Sequence, residues 1–264
     1  MLPSTIESLT SWFLAIGISM SRLLPCMILV PVFNTRQLKG GLRNAIAIAI
    51  SLATLPYVQS SISADPISGL TVILIVLKEA ALGLFLGTML ALPFWLFESV
   101  GSLLDNQRGA LTGGQLNPGL GTESIIGGML QQTIIMLLIV TGGIPALLEV
   151  IWTSYQLWPP TAWIPLPAVN GVEVWLEVIA QMFRHLVLYS APLVGMLLFI
   201  DFLLAMVSLY SPQLQVFILA MPAKSIVGLA LLVIYLPFLW DAAGGELNQY
   251  SELAKTLIYL LGSK

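Results

Sequence analysis

Charged residues are scarce in this 264-residue chain, and their scarcity excludes an ordinary soluble protein. Only 9% of the residues are Asp, Glu, Lys or Arg, whereas an average soluble domain carries about 25%. A soluble protein of this length has too little interior to hide the 58% of its residues that are hydrophobic. The apolar side chains therefore require lipid or other subunits around them.

Cysteine and histidine are almost absent, with Cys26 and His185 the single examples of each. One cysteine cannot form a disulfide within the chain, and a zinc site needs roughly four ligands that are usually Cys or His. We therefore expect no metal and no other cofactor. The net charge is −3 and no basic tail or stripe is present, so we also expect no nucleic-acid partner.

The chain does contain long apolar runs. A membrane-spanning helix needs roughly 20 mostly apolar residues, and six segments are candidates: about 9–33, 42–58, 70–104, 125–152, 172–210 and 214–240. The third, fourth and fifth are too long for a straight crossing and hold a proline or a Gly-Gly pair, which predicts kinked helices or re-entrant hairpins. A stretch at 246–261 predicts a short amphipathic surface helix. The fold is thus predicted to be all-α and of membrane type.

Seven ionisable residues fall inside these apolar segments: Arg22, Lys78, Glu79, Glu98, Arg184, Asp201 and Lys224. Each would cost about 2.5–3.5 kcal/mol at the centre of a lipid-facing helix, so we expect them to face protein or water. Ion pairing between helices of neighbouring subunits is favoured over a conduit or proton relay. Lys78 and Glu79 are adjacent and point roughly 100° apart on a helix, so each is predicted to need a different partner.

A polar, glycine-rich stretch at 105–122 interrupts the apolar pattern. It holds five glycines in eighteen residues, including the turn signal Gly113-Gly114. It contains neither the phosphate-binding pattern G-x-x-x-x-G-K-[ST] nor G-x-G-x-x-G. Irregular backbone is not tolerated against lipid, so at membrane depth this stretch must line a cavity or be enclosed by protein. Two interpretations remain open from the residues alone: an exposed loop, or a pore plug that Asp105 and Arg108 could tether by charge pairing.

Four short strings occur in an order that resembles the SctT (SpaR/YscT) family, the injectisome counterparts of flagellar FliR. They are Arg43-Asn-Ala, Lys78-Glu-Ala-Ala-Leu-Gly83, Pro93-Phe-Trp95 and Asp105-Asn-Gln-Arg-Gly-Ala110. The last string resembles the injectisome branch rather than the flagellar one. The resemblance implies a non-enzymatic subunit of the type III secretion export gate, which forms and seals the pore for unfolded effector proteins in the bacterial inner membrane, within the basal body.

The resemblance also implies partners and regions. The partners are about five copies of SctR, about four copies of SctS, SctU, membrane lipid and secreted polypeptides in transit. The regions are an SctR-like helical part at 1–171, an SctS-like hairpin at 172–240 and an amphipathic tail at 241–264. The candidate plug residues are Asp105, Asn106, Gln107, Arg108, Gly109, Leu111, Gly113, Gly114 and Leu116, and the candidate hairpin-turn residues are Pro212, Gln213 and Gln215.

Two other classes of function are compatible with charges inside apolar helices. A secondary transporter or ion-coupled membrane protein usually has paired inverted halves with matching helix breaks, and no convincing internal match is present. An intramembrane enzyme needs a Ser/His, two-Asp or His/Glu set at usable spacing, which the sequence lacks. We therefore expect no catalytic activity.

Overall fold

The computed structural model describes residues 2–33, 40–62, 69–110, 123–162, 171–210 and 216–261. Within those ranges the chain forms seven α-helices and no β-strand, which confirms the predicted all-α fold. A short 3-10 helix, Pro31–Phe33, follows the first α-helix. The α-helices are α1 (Leu2–Leu29), α2 (Gly40–Ile62), α3 (Gly69–Gln107), α4 (Ile125–Val140), α5 (Ile144–Leu157), α6 (Gly171–Tyr210) and α7 (Val216–Leu261).

Five helices in the described part of the chain, α1, α2, α3, α6 and α7, are long and apolar enough to cross a membrane. The consecutive helices α4 and α5 form a bent pair that would count as a sixth span. Only 11% of the most apolar window of α6 is buried inside the chain. This helix therefore needs lipid or neighbouring subunits around it, as the composition predicts.

The two longest predicted segments differ from the expectation of re-entrant hairpins. The segments at 70–104 and 172–210 are the continuous helices α3 and α6, although Pro93 and Pro192 lie inside them. At about 1.5 Å per residue each helix is roughly 60 Å long. A proline removes one backbone donor and clashes with one carbonyl, yet neither helix ends at its proline, and whether the helices are kinked there stays a prediction.

The fourth predicted segment is broken where its glycines stand, as predicted. Helix α4 ends at Val140, and the Thr141 backbone N–H donates to the Leu137 carbonyl at 2.9 Å. Gly142 then adopts a φ of +70°, in the left-handed region that favours glycine after a helix end. Helix α5 begins at Ile144 with a proline in its first turn, where the missing N–H costs no intrahelical bond.

The predicted amphipathic tail is not a separate element. Helix α7 runs through it from the sixth apolar segment and is 46 residues long. Tyr250 within it is buried, and its hydroxyl donates to the Leu90 carbonyl at 2.9 Å. Tyr250 therefore packs inside unit 1, and the amphipathic character of the tail stays a prediction.

The chain comprises two compact units, and each is assembled from separated stretches. Unit 1 consists of Met1–Leu92, Gly142–Leu176 and Asn248–Lys264, and unit 2 of Pro93–Thr141 and Glu177–Leu247. Buried side chains of unit 1 include Leu23, Met27, Leu86, Leu90 and Ile151, and those of unit 2 include Phe94, Phe97, Leu104, Ile134 and Leu197. The predicted division at residues 171 and 240 stays a prediction.

Candidate functional site

The two ends of the glycine-rich stretch meet in unit 2. Asp105 lies in the last turn of α3, and Ser124 caps the start of α4. One carboxylate oxygen joins these ends, because Asp105 Oδ2 accepts hydrogen bonds from Ser124 Oγ at 2.6 Å and from the Ile126 backbone N–H at 2.8 Å. We name Asp105, Arg108, Ser124 and the Ile126 N–H the loop base.

The second oxygen of the same carboxylate is held by Arg108. Asp105 Oδ1 accepts a hydrogen bond from Arg108 Nε at 2.8 Å and lies 2.6 Å from Arg108 Nη2. The Asp105 side chain is buried, so its charge requires a partner of this kind. The charge pair that the sequence suggested is therefore present within the chain, and its role in a plug stays a prediction.

Several terminal backbone groups of both helices at the loop base have hydrogen-bond partners. The first N–H groups of a helix lack intrahelical partners, and here Ser124 Oγ accepts from the Gly127 N–H at 2.8 Å while Asp105 takes the Ile126 N–H. A carboxylate is also favourable beside the positive end of a helix dipole. At the end of α3, Gly109 has a φ of +81°, and its N–H donates to the Asn106 carbonyl at 3.1 Å. The string Asp105-Asn-Gln-Arg-Gly109 thus closes one helix and starts the next.

Two glycines allow α3 and α4 to cross in backbone contact one turn from the loop base. A Cβ added to Gly101 would lie 2.6 Å from the Cα and N of Gly127, and one added to Gly127 would lie 2.7 Å from the Glu98 carbonyl oxygen. Neither position accepts a side chain without displacing backbone. Glu98 itself accepts a hydrogen bond from the Gln131 side chain across this interface, so it has a neutral partner within the chain.

Lys224 of α7 contacts the last residue of α3. Its ammonium group pairs with Asp201 of α6 and donates to the Gln107 carbonyl at 3.2 Å. The final carbonyls of a helix lack intrahelical donors, and a cation there is favourable. One turn along α7, a Cβ at Gly228 would lie 3.8 Å from Leu104. Helices α6 and α7 therefore reach the end of α3 that carries the loop base.

A buried charge cluster lies in unit 1 and is centred on Arg22 of α1. Arg22 Nε lies 2.6 Å from Glu79 Oε2, and their side chains are 1% and 0% exposed. The guanidinium also donates to Ser154 Oγ at 3.1 Å and to the Trp158 carbonyl at 2.9 Å. Its carbon lies 4.0 Å from the centre of the Tyr155 ring, which adds a cation–π contact. The cluster ties α1, α3 and α5 together inside one unit.

Lys78 and Glu79 have different main partners within the chain, since Glu79 pairs with Arg22 and Lys78 donates to backbone carbonyls, and the two side chains also contact each other. Lys78 Nζ lies 3.2 Å from Glu79 Oε1, and it also donates to the carbonyls of Pro160 and Ala162. The two Cα–Cβ directions diverge as expected for neighbours on a helix, but the long lysine stem reaches back across the gap. Both residues therefore join the cluster around Arg22.

Arg184 has the weakest pairing of the seven predicted charges. It lies 3.7 Å from Glu177, and the two side chains are 70% and 56% exposed. Pairs of this kind contribute little to stability. All seven residues thus have a polar partner within the described part of the chain, and pairing between subunits stays a prediction.

Several predicted site residues lie outside the described residues, namely Leu111, Gly113, Gly114, Leu116, Pro212, Gln213 and Gln215. Three further residues at this site, Ser124, Gly101 and Gly127, were not predicted from the sequence. A serine directly before an apolar run is a typical helix N-cap signal, so Ser124 could have been found. In the described ranges, no group of three His, Cys, Asp or Glu side chains is placed to hold a metal ion.

Comparison with known proteins gives consistent similarities. Residues 13–250 match the family model described as bacterial export proteins, family 1. The chain is 36% identical over 220 residues to Yop proteins translocation protein T of Yersinia pestis, covering 81% of this chain and 82% of that protein. It is 30% identical over 223 residues to the surface presentation of antigens protein SpaR of Salmonella typhimurium, covering 84% and 82%. It is 25% identical over 264 residues to the flagellar biosynthetic protein FliR of Bacillus subtilis, covering 97% and 99%.

Proposed function

The chain belongs to the bacterial export proteins of family 1, in the SctT (SpaR/YscT) family, and from that premise we propose that it forms and seals the pore of a type III secretion export gate. Its relatives are secretion and flagellar export proteins, and the chain is a membrane-type component of such an export apparatus. The proposed pore carries unfolded effector proteins across the bacterial inner membrane, within the basal body. The proposed role is non-enzymatic.

The loop base is the observation that supports a sealing role. A loop that closes a pore must leave the protein and return to it at fixed points, and Asp105 holds both of those points through Ser124 and Ile126. The stretch between them is rich in glycine, which adopts many backbone conformations without steric cost. We therefore assign 105–122 as the pore plug.

Within this plug, the residues fall into two groups by position. Asp105, Asn106, Gln107, Arg108 and Gly109 form its anchored start, where the described hydrogen bonds lie. Leu111, Gly113, Gly114 and Leu116 are the proposed sealing residues. Apolar leucine side chains exclude water and ions, and glycines allow the backbone to approach other subunits closely.

The exposed apolar faces support a multi-subunit assembly. Helix α6 alone exposes Phe183, Phe199 and Phe202 by more than half of their surface. Apolar surface of this extent marks contact with lipid or with other proteins. We propose that SctR, in about five copies, SctS, in about four copies, and SctU cover these faces together with membrane lipid.

Deletion of residues 111–116 tests the plug assignment. The complex should still assemble, because the loop base and the Gly101–Gly127 crossing lie outside the deletion. The ion conductance of membranes that hold the complex should rise well above that of the native complex. Background conductance from a fully assembled deletion complex would contradict the assignment.

Isolation in mild detergent tests the assembly itself. The proposal expects the chain in a stable complex of about ten subunits of three kinds. A monomer or homodimer that takes up a solute would instead favour a secondary transporter.

A milder variant serves if the deletion variant fails to assemble. The double variant Leu111→Ser, Leu116→Ser keeps the chain length and weakens only the apolar seal, so its ion conductance tests the plug assignment in the same way.

A further inference from the structure

The single histidine of the chain contacts a buried glutamate in unit 2, apart from the loop base. His185 Nδ1 lies 2.6 Å from Glu246 Oε1, and the Tyr189 hydroxyl donates to the same oxygen at 2.8 Å. His185 and Tyr189 lie on one face of α6, with ring centres 5.5 Å apart and an angle of 28° between the ring planes. Glu246 comes from α7. These three side chains therefore connect the two long helices at one point.

The three side chains differ in how much of their surface the chain itself buries. Glu246 and Tyr189 are buried, whereas the His185 side chain is 29% exposed. Tyr189 is further enclosed by Phe97, with ring centres 5.8 Å apart, and by Phe238, with ring centres 6.3 Å apart. Of the three groups, the imidazole is therefore the one that the chain itself encloses least. A buried carboxylate is costly beside neutral partners and is compensated by a cation.

The other ionisable groups described on the surrounding helices pair elsewhere or lie away from Glu246. On α6, Arg184 pairs with Glu177, and on α3, Glu98 accepts from Gln131. On α7, Tyr235 packs against Phe238, with ring centres 4.9 Å apart, and Asp241 is exposed. Helix α4 carries no ionisable residue. In the described part of the chain, His185 is therefore the basic side chain that lies against Glu246.

We propose that His185, Glu246 and Tyr189 form a proton-binding site that fastens α6 to α7 when His185 is charged. A neutral imidazole donates one hydrogen bond from Nδ1 to the carboxylate, and a proton added at Nε2 converts this bond into an ion pair. Histidine changes its charge between about pH 5 and pH 8. The contact between α6 and α7 is therefore stronger in acid and weaker in alkali, a property that does not depend on the pore assignment.

The substitution His185→Asn separates protonation from hydrogen bonding. The asparagine amide nitrogen takes the place of Nδ1 and keeps a neutral hydrogen bond to Glu246, but it cannot gain a charge. We would measure the melting temperature of the full-length chain in mild detergent by tryptophan fluorescence. The melting temperature of the native chain should exceed that of the variant by at least about 3 °C more at about pH 5.5 than at about pH 8, because the ring contact with Tyr189 is lost at both pH values. A gap of the same size at both pH values, or no gap at either, would overturn the proposal.

Two further variants act as controls. Glu246→Gln removes the anion and should abolish the stabilisation in acid although His185 remains. Glu177→Gln removes an exposed acid from the same helix and should leave the pH-dependent gap unchanged, because Glu177 lies at Arg184 and not at His185. Loss of the acid effect in the Glu177 variant would contradict the assignment to Glu246.

A direct readout is available because the chain has a single histidine. Chain labelled with ¹⁵N-histidine gives one imidazole, whose Nδ1 proton should exchange slowly with water in the native chain and rapidly in Glu246→Ala, which has no acceptor for it. This measurement does not require the variant to match the native melting temperature. Rapid exchange in the native chain would overturn the proposed contact.

Discussion

Gly83 of α3 lies against the backbone of Arg22 in α1, so closely that a Cβ at position 83 would fall 2.1 Å from the Arg22 carbonyl oxygen. One turn later, a Cβ at Gly87 would fall 2.9 Å from the Cα of Cys26. Helices α1 and α3 therefore touch backbone to backbone through the G-x-x-x-G pattern of α3. The close approach brings Arg22 within reach of Glu79, which lies one turn before Gly83.

Gly83→Ala should destabilise unit 1, because the new methyl group meets backbone rather than a flexible side chain. Overpacking of this kind costs typically about 1–3 kcal/mol. The matched control is Gly17→Ala in α1, where an added Cβ meets nothing within 4 Å and helix propensity favours alanine by about 1 kcal/mol. Chemical unfolding in detergent would measure both variants, and equal stability of the two would contradict the close crossing.

Loss of one partner from the buried Arg22–Glu79 pair should be more damaging than loss of both. Arg22→Met leaves the Glu79 charge buried, and breaking a buried pair costs about 3–5 kcal/mol. The double variant Arg22→Met, Glu79→Met removes both charges and should recover part of that loss. A double-mutant cycle by chemical unfolding measures the coupling. Arg184→Met serves as the exposed control and should change stability by less than about 1 kcal/mol. If the double variant were no more stable than Arg22→Met, the buried ion pair would be contradicted.

Asp105→Asn should loosen the loop base. An asparagine side chain offers one oxygen where the carboxylate offers two, so it cannot serve Arg108, Ser124 and Ile126 together. Leaving a buried donor unsatisfied costs about 1–3 kcal/mol, and the proposed plug should seal less well. The measurement is the ion conductance of the assembled complex. Asp241→Asn, at an exposed acid of unit 2, is the control. If the assembled Asp105→Asn complex had the same ion conductance as the native complex, the loop base would not govern the proposed seal.

The neighbours Gly127 and Gly128 offer an internally matched comparison at the start of α4. An alanine methyl at 127 would meet the Glu98 carbonyl oxygen at 2.7 Å, whereas one at 128 would meet nothing within 4 Å. Gly127→Ala should therefore lower the melting temperature of the chain, and Gly128→Ala should leave it unchanged or raise it slightly. Similar melting temperatures for the two variants would contradict the α3–α4 crossing.

The sequence predicts the apolar helices and the break at Gly142 because both follow from local composition. A run of apolar residues and a glycine that can adopt a positive φ carry their own signal. The continuity of α3 through Pro93 was not predictable in the same way. A proline weakens a helix locally, and whether the helix ends there depends on what the neighbouring elements pack against.

The partners of the charged side chains are harder to predict from the sequence than the helices are, because they depend on tertiary structure. Glu246 faces His185 from a distant part of the sequence, and Asp105 meets Ser124 only because the chain returns after the glycine-rich stretch. Spacing along one helix predicts neighbours three or four residues apart, and it carries no information on which helices cross. Among the described residues, the Asp105–Arg108 pair, at a separation of three, was the charge contact within reach of that rule.

The loop base allows the sequence between its two anchoring points to vary separately from the helices that carry those points. Because its anchoring contacts lie at 105–108 and 124–126, the residues between can change in identity or number while both ends stay in place. A longer connection between two fixed ends also costs little, since each doubling of a connection's length adds only about 0.6 kcal/mol of closure free energy. Under the proposed plug assignment, exchange of this insert alone would therefore change the width and tightness of the seal, with the anchoring contacts left as they are.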